Sequence, residues 1–266
     1  RQVGATLRIL MIGDVIGKPG RRTVRTLLPE IKRENQVDLI IANGENAAGG
    51  LGLTPETADD LFQSGVDVIT SGNHIWSHKS ILPALASGLA ILRPLNYPPE
   101  VPGRGYLITG DAMVVNLLGR TFIGASDCPF RAMDRLLEEV ENSKPPIIIV
   151  DFHAEATSEK GAMGRYLDGR VSAVLGTHTH VGTADARLLP QGTAFITDVG
   201  MAGPTESVIG DDIDAVIHRF LTLLPHRISV GKGDSLLNSV LVDIDRSSGK
   251  ATAISRIDRE LAADGE

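Results

Sequence analysis

Apolar runs alternate with amphipathic segments along the N-terminal part of the chain. The run LRILMIG (7–13) is short and apolar enough for a buried strand, and Pro19 suits the first turn of the helix that segment 19–35 predicts. The same order of strand and helix recurs in 37–42, 54–65 and 66–72. Alternating strands and helices of these lengths are typical of a buried sheet with helices outside it.

Further strands are expected at 146–152 and 171–176, whereas the segment 235–261 has a different pattern. It alternates apolar and polar residues on both sides of the turn signal SSGK, which predicts an antiparallel hairpin. The expected fold class is therefore α/β, a layered α/β sandwich of mixed sheets with helices outside. We expect a single domain over 1–266, in which the Gly- and Pro-rich segment 91–128 could form an inserted cap or lid.

The composition narrows the range of partners. A chain of 266 residues with 42% hydrophobic and 22% charged residues is ordinary for a soluble globular protein. Its net charge of −7 argues against general binding to a nucleic-acid backbone, so no stable nucleic-acid complex is expected. The single cysteine, Cys128, excludes an intramolecular disulfide and a Cys-built zinc site, and it is typical of a reducing compartment.

The apolar runs are too short for a membrane protein. None reaches the roughly 18–20 apolar residues that a membrane-spanning helix needs. The run 7–12 is also shorter than the apolar region of a signal peptide, and no cleavage-like site follows it. We therefore expect a cytoplasmic protein without membrane contact, and the sequence leaves homo-oligomerisation open.

Polar side chains follow five of the expected strands, at the strand ends where open α/β sheets bind ligands. They are Asp14, Glu45 with Asn46, Asn73 with His74, His153, and His178 with His180. Each has an ordinary explanation by itself, as a turn residue, a helix cap or a hydrogen-bonded histidine. Their joint occurrence favours one shared site. The two histidines of THTH would point to the same side if the strand stays extended past Gly176.

The types of these side chains indicate transition metals. Imidazole, carboxylate and amide groups without thiolate suit Mn, Fe or Zn better than Ca or Mg alone. There are more candidate ligands than one tetrahedral site needs, which favours two metals that share a carboxylate, an arrangement suited to displacement at phosphorus. The loop GDVIGKPG (13–20) lacks the G-x-G-x-x-G spacing, which disfavours a dinucleotide-binding dehydrogenase.

In chain order, these residues form a series of motifs. The series consists of Asp14-Val15-Ile16, Gly44-Glu45, Gly72-Asn73-His74, His153, and Gly176-Thr177-His178-Thr179-His180. It resembles the motifs D-x-H, GD, GNH, a later H and GHxH of the calcineurin-like metallophosphoesterases. Ile16 stands where that pattern has His, and Glu45 stands where it has Asp. Both departures, together with GEN (44–46) and FHAEATSEK (152–160), resemble the bacterial YmdB-like phosphodiesterases.

The resemblance implies an α/β sandwich with a dinuclear iron or manganese centre that hydrolyses phosphodiesters, including 2′,3′-cyclic nucleotides. It also implies two groups of metal ligands. The first metal would take Asp14, Glu45, Asn46 and His180. The second would share Glu45 as a bridge and take Asn73, His153 and His178. Asn46 would replace the missing histidine of the first motif, although its amide could equally hold the loop.

His74 lies outside both implied groups of ligands. It is therefore the residue expected to protonate the leaving alkoxide as a general acid, and the alternative is a hydrogen-bonding role beside the ligands. Three acids near the ligands are expected to orient them: Asp151, Glu155 and Asp198. The histidines outside the pattern are expected at surface or capping positions: His78, His218 and His226.

Two other functions stay open. The same centre could serve a phosphomonoesterase or nucleotidase, which activity on a diester compared with its monoester product would distinguish. Alternatively, a slow or vestigial centre could belong to a regulatory nucleotide-binding protein or an RNA-processing partner. Tight binding of a cyclic nucleotide without turnover would favour this last function.

Overall fold

The computed structural model describes residues 5–263. Its helices are α1 (Gly17–Asn35), α2 (Pro55–Gln63), α3 (Ile81–Ala86), α4 (Pro129–Glu139), α5 (Thr157–Leu167) and α6 (Ile213–Thr222). Its strands are β1 (Thr6–Val15), β2 (Leu39–Asn43), β3 (Val68–Thr70), β4 (Tyr106–Thr109), β5 (Ala112–Leu118), β6 (Ile147–His153), β7 (Ala173–Thr177), β8 (Arg187–Leu188), β9 (Ala194–Ile196), β10 (Met201–Pro204), β11 (Ser235–Leu237), β12 (Ser239–Asp245), β13 (Ala251–Arg256) and β14 (Arg259–Leu261).

The first sheet is built around β1. This strand pairs in parallel with β2 and antiparallel with β12, and its last residues pair in parallel with β10. β3 extends the sheet beyond β2, and β11 and β14 extend it beyond β10. β13 pairs antiparallel with β12, so the hairpin predicted around SSGK is present.

The second sheet has the strand order β4-β5-β6-β7-β9-β8. Its four inner strands are parallel, and the two edge strands pair antiparallel with their neighbours. Both sheets therefore combine parallel and antiparallel pairs. The mixed α/β class predicted from the sequence is confirmed.

The segment 91–128, for which an inserted cap or lid was one possibility, contributes to this second sheet. β4 and β5 both lie within it, and every residue of β5 is buried. β5 pairs along its whole length with β6, from Ala112 opposite Ile147 to Leu118 opposite His153. The middle of the segment is thus an inner strand of the sheet, which corrects the expectation of a lid for that part.

Side chains of alternate residues divide between two apolar layers, as the twofold period of a strand requires. In β1, Ile9 and Met11 pack between the two sheets, whereas Leu10 and Ile12 pack beneath α1 and α2. The second sheet likewise contributes Val114 and other residues to the layer between the sheets, and its opposite face packs against α4 and α5. The order of layers is helix, sheet, sheet, helix.

The strand register brings the polar strand ends to one edge. Asp14 at the end of β1 lies opposite Asn43 at the end of β2, and Asn43 lies opposite Thr70 at the end of β3. In the second sheet, His153 lies opposite Thr177. Among residues 5–263, no helix is both long and apolar enough to cross a membrane.

Candidate metal centre

Glu45, His153 and His178 form the centre of the site. One nitrogen or oxygen atom from each lies within 4.8 Å of those of the other two. Glu45 Oε1 is 2.8 Å from His153 Nε2, and His178 Nδ1 is 3.0 Å from the same nitrogen. Three residues from the ends of three different strands therefore converge where one cation could contact all of them.

Asp14 joins this group from the end of β1. Its side chain is fully buried, and its Oδ2 accepts a hydrogen bond from the main-chain nitrogen of His178 at 3.0 Å. Its other oxygen, Oδ1, lies 3.8 Å from His180 Nε2. Asn46 donates from Nδ2 to the carbonyl of Gly50 at 2.9 Å, which leaves its Oδ1 without a protein partner.

Orphaned oxygen atoms mark the candidate metal ligands. Buried polar atoms are normally hydrogen-bonded. Four buried side-chain oxygens at this site in the described structure lack a hydrogen bond of good geometry, and all belong to residues that the sequence predicts as ligands: Asp14 Oδ1, Glu45 Oε1, Asn46 Oδ1 and Asn73 Oδ1. Of these, Glu45 Oε1 has the close ion-pair contact with His153 Nε2 at 2.8 Å described above. Bound cations would satisfy all four. The donor set therefore fits transition-metal ions.

The three histidines are oriented by protein groups on the side away from the centre. His153 Nδ1 lies 2.9 Å from the Thr177 hydroxyl, which leaves Nε2 facing Glu45. His178 Nε2 lies 2.9 Å from Glu155, which leaves Nδ1 facing the centre. His180 Nδ1 lies 2.7 Å from the carbonyl oxygen of Ile209. In metal-binding histidines, the ring nitrogen that does not contact the metal is usually hydrogen-bonded to a protein group in this way.

Asp151 supports His153 through a buried network. Its carboxylate accepts hydrogen bonds from Asn43 Nδ2 at 3.0 Å, from the Thr177 hydroxyl at 2.7 Å and from the Thr70 hydroxyl. Burial raises the pKa of Asp151, an effect that His153 and these hydrogen bonds oppose. The structure thus places Asp151 behind the ring of His153, with Thr177 between them.

The electrostatics of the site reflect the close packing of acids and histidines. Burial raises the pKa of Asp14 to about 6, although His180 and His153 oppose it. Burial lowers the pKa of His153, but the charges of Glu45, Asp14 and Asp151 outweigh that effect and raise it to about 9. Burial and the neighbouring His153 lower the pKa of His178 to about 3. His178 is therefore neutral, which is the form that binds metals.

The chain stays extended only as far as Thr177, and the loop that carries His178 and His180 turns directly after it. His178 has φ 105° and His180 has φ 64°, a left-handed region that non-glycine residues rarely adopt. The main-chain nitrogen of His178 and the side chain of His180 still reach Asp14, but through this strained turn rather than through the twofold period of a strand. A shared direction of the two rings was predicted only on the condition that THTH stays extended, and this condition is not met, because the chain bends directly after β7.

A buried ion pair supports the same turn. Lys160 Nζ lies 2.6 Å from Asp198 Oδ2, and both side chains are almost completely buried. Asp198 Oδ2 also accepts from the main-chain nitrogen of Thr179 at 3.0 Å, between the two histidines. Asp198 was expected to orient ligands, and it contacts the backbone of the turn. Sequence reasoning missed Lys160, although it lies within the segment FHAEATSEK.

His74 lies at the edge of the centre with its side chain 34% exposed. Its main-chain nitrogen donates to Glu45 Oε2 at 3.1 Å, and its Nδ1 is 3.4 Å from Glu45 Oε1. Gly72, two residues earlier, has no room for a side chain, because a Cβ there would overlap His153 and Glu45. The G-N-H motif therefore packs its backbone directly against the centre.

Comparison with known proteins agrees with this geometry. The family model described as YmdB-like protein matches residues 10–257. The chain belongs to the YmdB-like family. A relative from Bacillus subtilis strain 168, named 2′,3′-cyclic-nucleotide 2′-phosphodiesterase, is 48% identical over 255 residues, which are 94% of this chain and 96% of the relative.

Two solved structures share the YmdB-like fold over nearly their whole length. A hypothetical protein from Thermus thermophilus has a TM-score of 0.89 at 45% identity, over 96% of this chain and 99% of the other. A protein described as a novel phosphatase from Mycoplasma pneumoniae has a TM-score of 0.90 at 34% identity, over 97% and 95% of the two chains. The family predicted from the motifs is confirmed.

The YmdB-like centre opens into a cavity of about 890 Å³. The sequence-predicted residues that line it include Glu45, Asn46, His74, His178 and His180. Its outer wall also carries basic side chains that sequence reasoning missed or placed elsewhere: His78, Arg219, His226 and Arg227. The contact of Arg219, His226 and Arg227 with the cavity depends on how α6 and the following loop pack over the centre, which cannot be predicted from a local motif.

Proposed function

We propose that this protein is a metal-dependent phosphodiesterase that hydrolyses small phosphodiesters such as 2′,3′-cyclic nucleotides. The observation that carries the proposal is the set of four orphaned buried oxygens beside three histidines whose other ring nitrogens are held by protein groups. The name of the Bacillus subtilis relative supports the same substrate class.

We propose that the centre holds two ions, with iron or manganese suited to the mixed nitrogen and oxygen donors. Asp14, Asn46 and His180 would hold the first ion, and Glu45 would bridge to the second. The second ion would take the remaining donors, which are Asn73, His153 and His178. When bound, such a pair supplies Lewis acidity and a water molecule whose pKa is lowered toward neutrality.

His74 is proposed to give a proton to the leaving oxygen. Its ring lines the cavity, and Glu45 and Asn46 lie beside its Nδ1. Its Nε2 makes no hydrogen bond within residues 5–263 and is available to a substrate. A partly exposed imidazole next to the ligands can both release and recover a proton, as a general acid requires.

The shape and charge of the cavity suit a small anionic substrate. A volume of about 890 Å³ is within the range of small-molecule sites. Arg219 and Arg227 lie on its wall, and guanidinium groups bind phosphate oxygens through paired hydrogen bonds. We assign these two residues to binding the non-bridging oxygens of the substrate phosphate in the pocket.

Substrate profiling of manganese- or iron-reconstituted protein tests this function. We expect hydrolysis of 2′,3′-cyclic nucleotides to a monophosphate, with much slower release of inorganic phosphate from that product. A monoester turned over faster than the cyclic diester would make the protein a phosphomonoesterase. Tight binding of the cyclic nucleotide without turnover would instead indicate a regulatory nucleotide-binding protein.

A further inference from the structure

A second cavity lies apart from the metal centre. Its volume is about 370 Å³, and it shares no lining residue with the cavity over the metal ligands. Its walls come from the segment 93–106, from Asp127 and from α4. None of the motifs singled out in the sequence falls within it, so the proposed phosphodiesterase reaction does not account for it.

Arg93 on the wall of this cavity is buried without a counter-charge. Only 5% of the residue is exposed, and Nη1 donates to the carbonyl oxygens of Pro94 at 2.9 Å and Leu95 at 3.5 Å. Its Nε is buried and has no hydrogen-bond partner. Burial lowers the pKa of Arg93, and no neighbouring acid offsets this effect. An isolated buried guanidinium is unfavourable, so an anion in the cavity would stabilise it.

The rest of the wall adds positive charge. Arg104 lines the cavity and donates to the carbonyl oxygens of Gly88 at 2.7 Å and Leu89 at 3.0 Å, while Arg135 makes no ion pair within residues 5–263. Two acids, Asp127 and Glu139, also line it, and both are exposed. Three cationic groups thus face two anionic ones, although the whole chain carries a net charge of −7.

The remaining lining is aromatic and apolar. Tyr97, Tyr106, Leu95 and Pro99 form this part of the wall. Tyr97 also packs against Trp76, with ring centroids 5.7 Å apart. Trp76 is the only tryptophan in the chain, so its fluorescence can report on changes at Tyr97.

We propose that this cavity is a binding site for the phosphate group of a small organic phosphate, held by Arg93 and Arg135. The planar fork of a guanidinium matches phosphate oxygens, and the aromatic wall would contact the organic part. Free inorganic phosphate has the same oxygen atoms for the guanidinium groups to bind, so it would contact the same arginines. The proposal does not depend on the phosphodiesterase function, because the two cavities have separate walls.

Calorimetric titration of the full chain with its metals bound tests the proposal. The probes are a nucleoside monophosphate, inorganic phosphate and the unphosphorylated nucleoside. We expect the monophosphate to bind in two events, one at this cavity and one at the metal centre. Trp76 fluorescence should change with the event at this cavity. Tighter binding of the monophosphate than of inorganic phosphate supports an organic phosphate, and equal affinity supports free phosphate as the ligand.

Two charge-reversal variants on α4 compare an arginine that lines the cavity with one that does not. Arg135→Glu should weaken the cavity event by about tenfold or more, because it replaces a charged hydrogen bond with repulsion. Arg131→Glu, an exposed change on the same helix that does not line the cavity, should leave it unchanged. Neither variant should alter hydrolysis at the metal centre by more than about twofold, because both lie outside its cavity.

Arg93→Met provides the second variant. It should abolish the cavity event while leaving the thermal midpoint of the unliganded protein equal or higher, because an unpaired buried charge is removed. The proposal is overturned if both binding events persist in Arg135→Glu and Arg93→Met. It is equally overturned if the unphosphorylated nucleoside binds the cavity as tightly as the monophosphate does.

Discussion

At the scale of single residues, the metal centre depends on groups that would never touch a metal. Each proposed histidine ligand turns one ring nitrogen inward while the other is held by Thr177, Glu155 or the carbonyl oxygen of Ile209. These contacts choose the tautomer and limit ring rotation, which lowers the entropy cost of binding a cation. The affinity of the centre should therefore respond to residues outside the ligand set.

Replacing Thr177 with valine tests this dependence. Thr177→Val keeps the size and β-branched shape of the side chain but removes the hydroxyl that joins Asp151 to His153. We expect metal affinity to fall by about 10–100-fold, measured by competition with a chelator. Thr252→Val on the exposed hairpin strand β13 is the control and should have no effect. Unchanged metal affinity in Thr177→Val would mean that the hydrogen bonds between Asp151, Thr177 and His153 do not contribute to metal binding.

Replacing His74 with alanine separates proton transfer from metal binding. His74→Ala should retain both ions and lower the rate by about 10²–10⁴-fold for a ribose leaving group. The loss should be much smaller for a nitrophenyl ester, whose leaving group needs little protonation. Steady-state rates on both substrates, with elemental analysis, measure this.

The comparison variant for His74 is His153→Ala. It should lose metal and slow both substrates together, because His153 lies at the middle of the donor set. If His74→Ala also loses metal, or slows both substrates equally, then His74 holds the structure of the site and does not transfer a proton.

At the scale of elements, the centre is made where strands stop. β7 ends at Thr177, and the chain then turns through two left-handed residues under the support of the Lys160–Asp198 pair. Gly176 lies against the neighbouring segment so closely that a Cβ would overlap the carbonyl oxygen of Thr197. The sharp end of this strand is thus a packing requirement that sets the position of both following histidines.

Two glycine substitutions test that requirement. Gly176→Ala should lower the free energy of unfolding by about 1–3 kcal/mol or more and reduce metal occupancy, because β7 must move away from Thr197. Gly161→Ala, inside α5 with open space around it, should raise the free energy by about 0.5–1 kcal/mol. Denaturant unfolding and metal analysis compare the two variants. Equal stability of both would show that the close contact at Gly176 can relax without cost.

The sequence predicted those parts of the site that depend on local patterns. Apolar runs followed by Asp14, Glu45, Asn73 and His153 were visible without coordinates, and the orphaned oxygens of three of these residues agree with the ligand prediction. The run AMVVNLL of β5 was also visible, but the Gly- and Pro-rich residues around it suggested a lid. The contributions of Ile209, Lys160 and Arg219 were hidden, because each depends on contacts between segments distant in sequence.

At the scale of the whole molecule, the proposed ligands of the centre come from both sheets. Asp14 lies at the end of a strand of the first sheet, and Glu45 and Asn73 follow two others. His153 ends a strand of the second sheet, and His178 directly follows another. Bound ions would therefore link the two halves of the sandwich. Removing the ions would leave the buried acids and histidines without a bound cation, in addition to removing the metals needed for catalysis.

Chelation should therefore lower global stability. An ion present at a hundredfold excess over its Kd contributes about 2.7 kcal/mol, so removing each ion should lower the Tm by about 5–10 °C. Differential scanning calorimetry with and without chelator measures this, and elemental analysis should find two ions per chain before chelation. His153→Ala should show a smaller decrease. An equal Tm in both conditions would contradict the link between sheets.

The pairing of β1 has a consequence for how the enzyme is made. β1 carries Asp14 and leaves the ribosome before β12, yet it pairs along most of its length with β12, from Thr6 opposite Asp245 to Ile12 opposite Ser239. At a synthesis rate of about 5–20 residues per second, this strand waits roughly 10–50 s for its partner. Until then, Asp14 lies on an incomplete sheet. We therefore expect the complete set of metal ligands to form only after β12 has been synthesised, so that metal loading would follow synthesis of most of the chain.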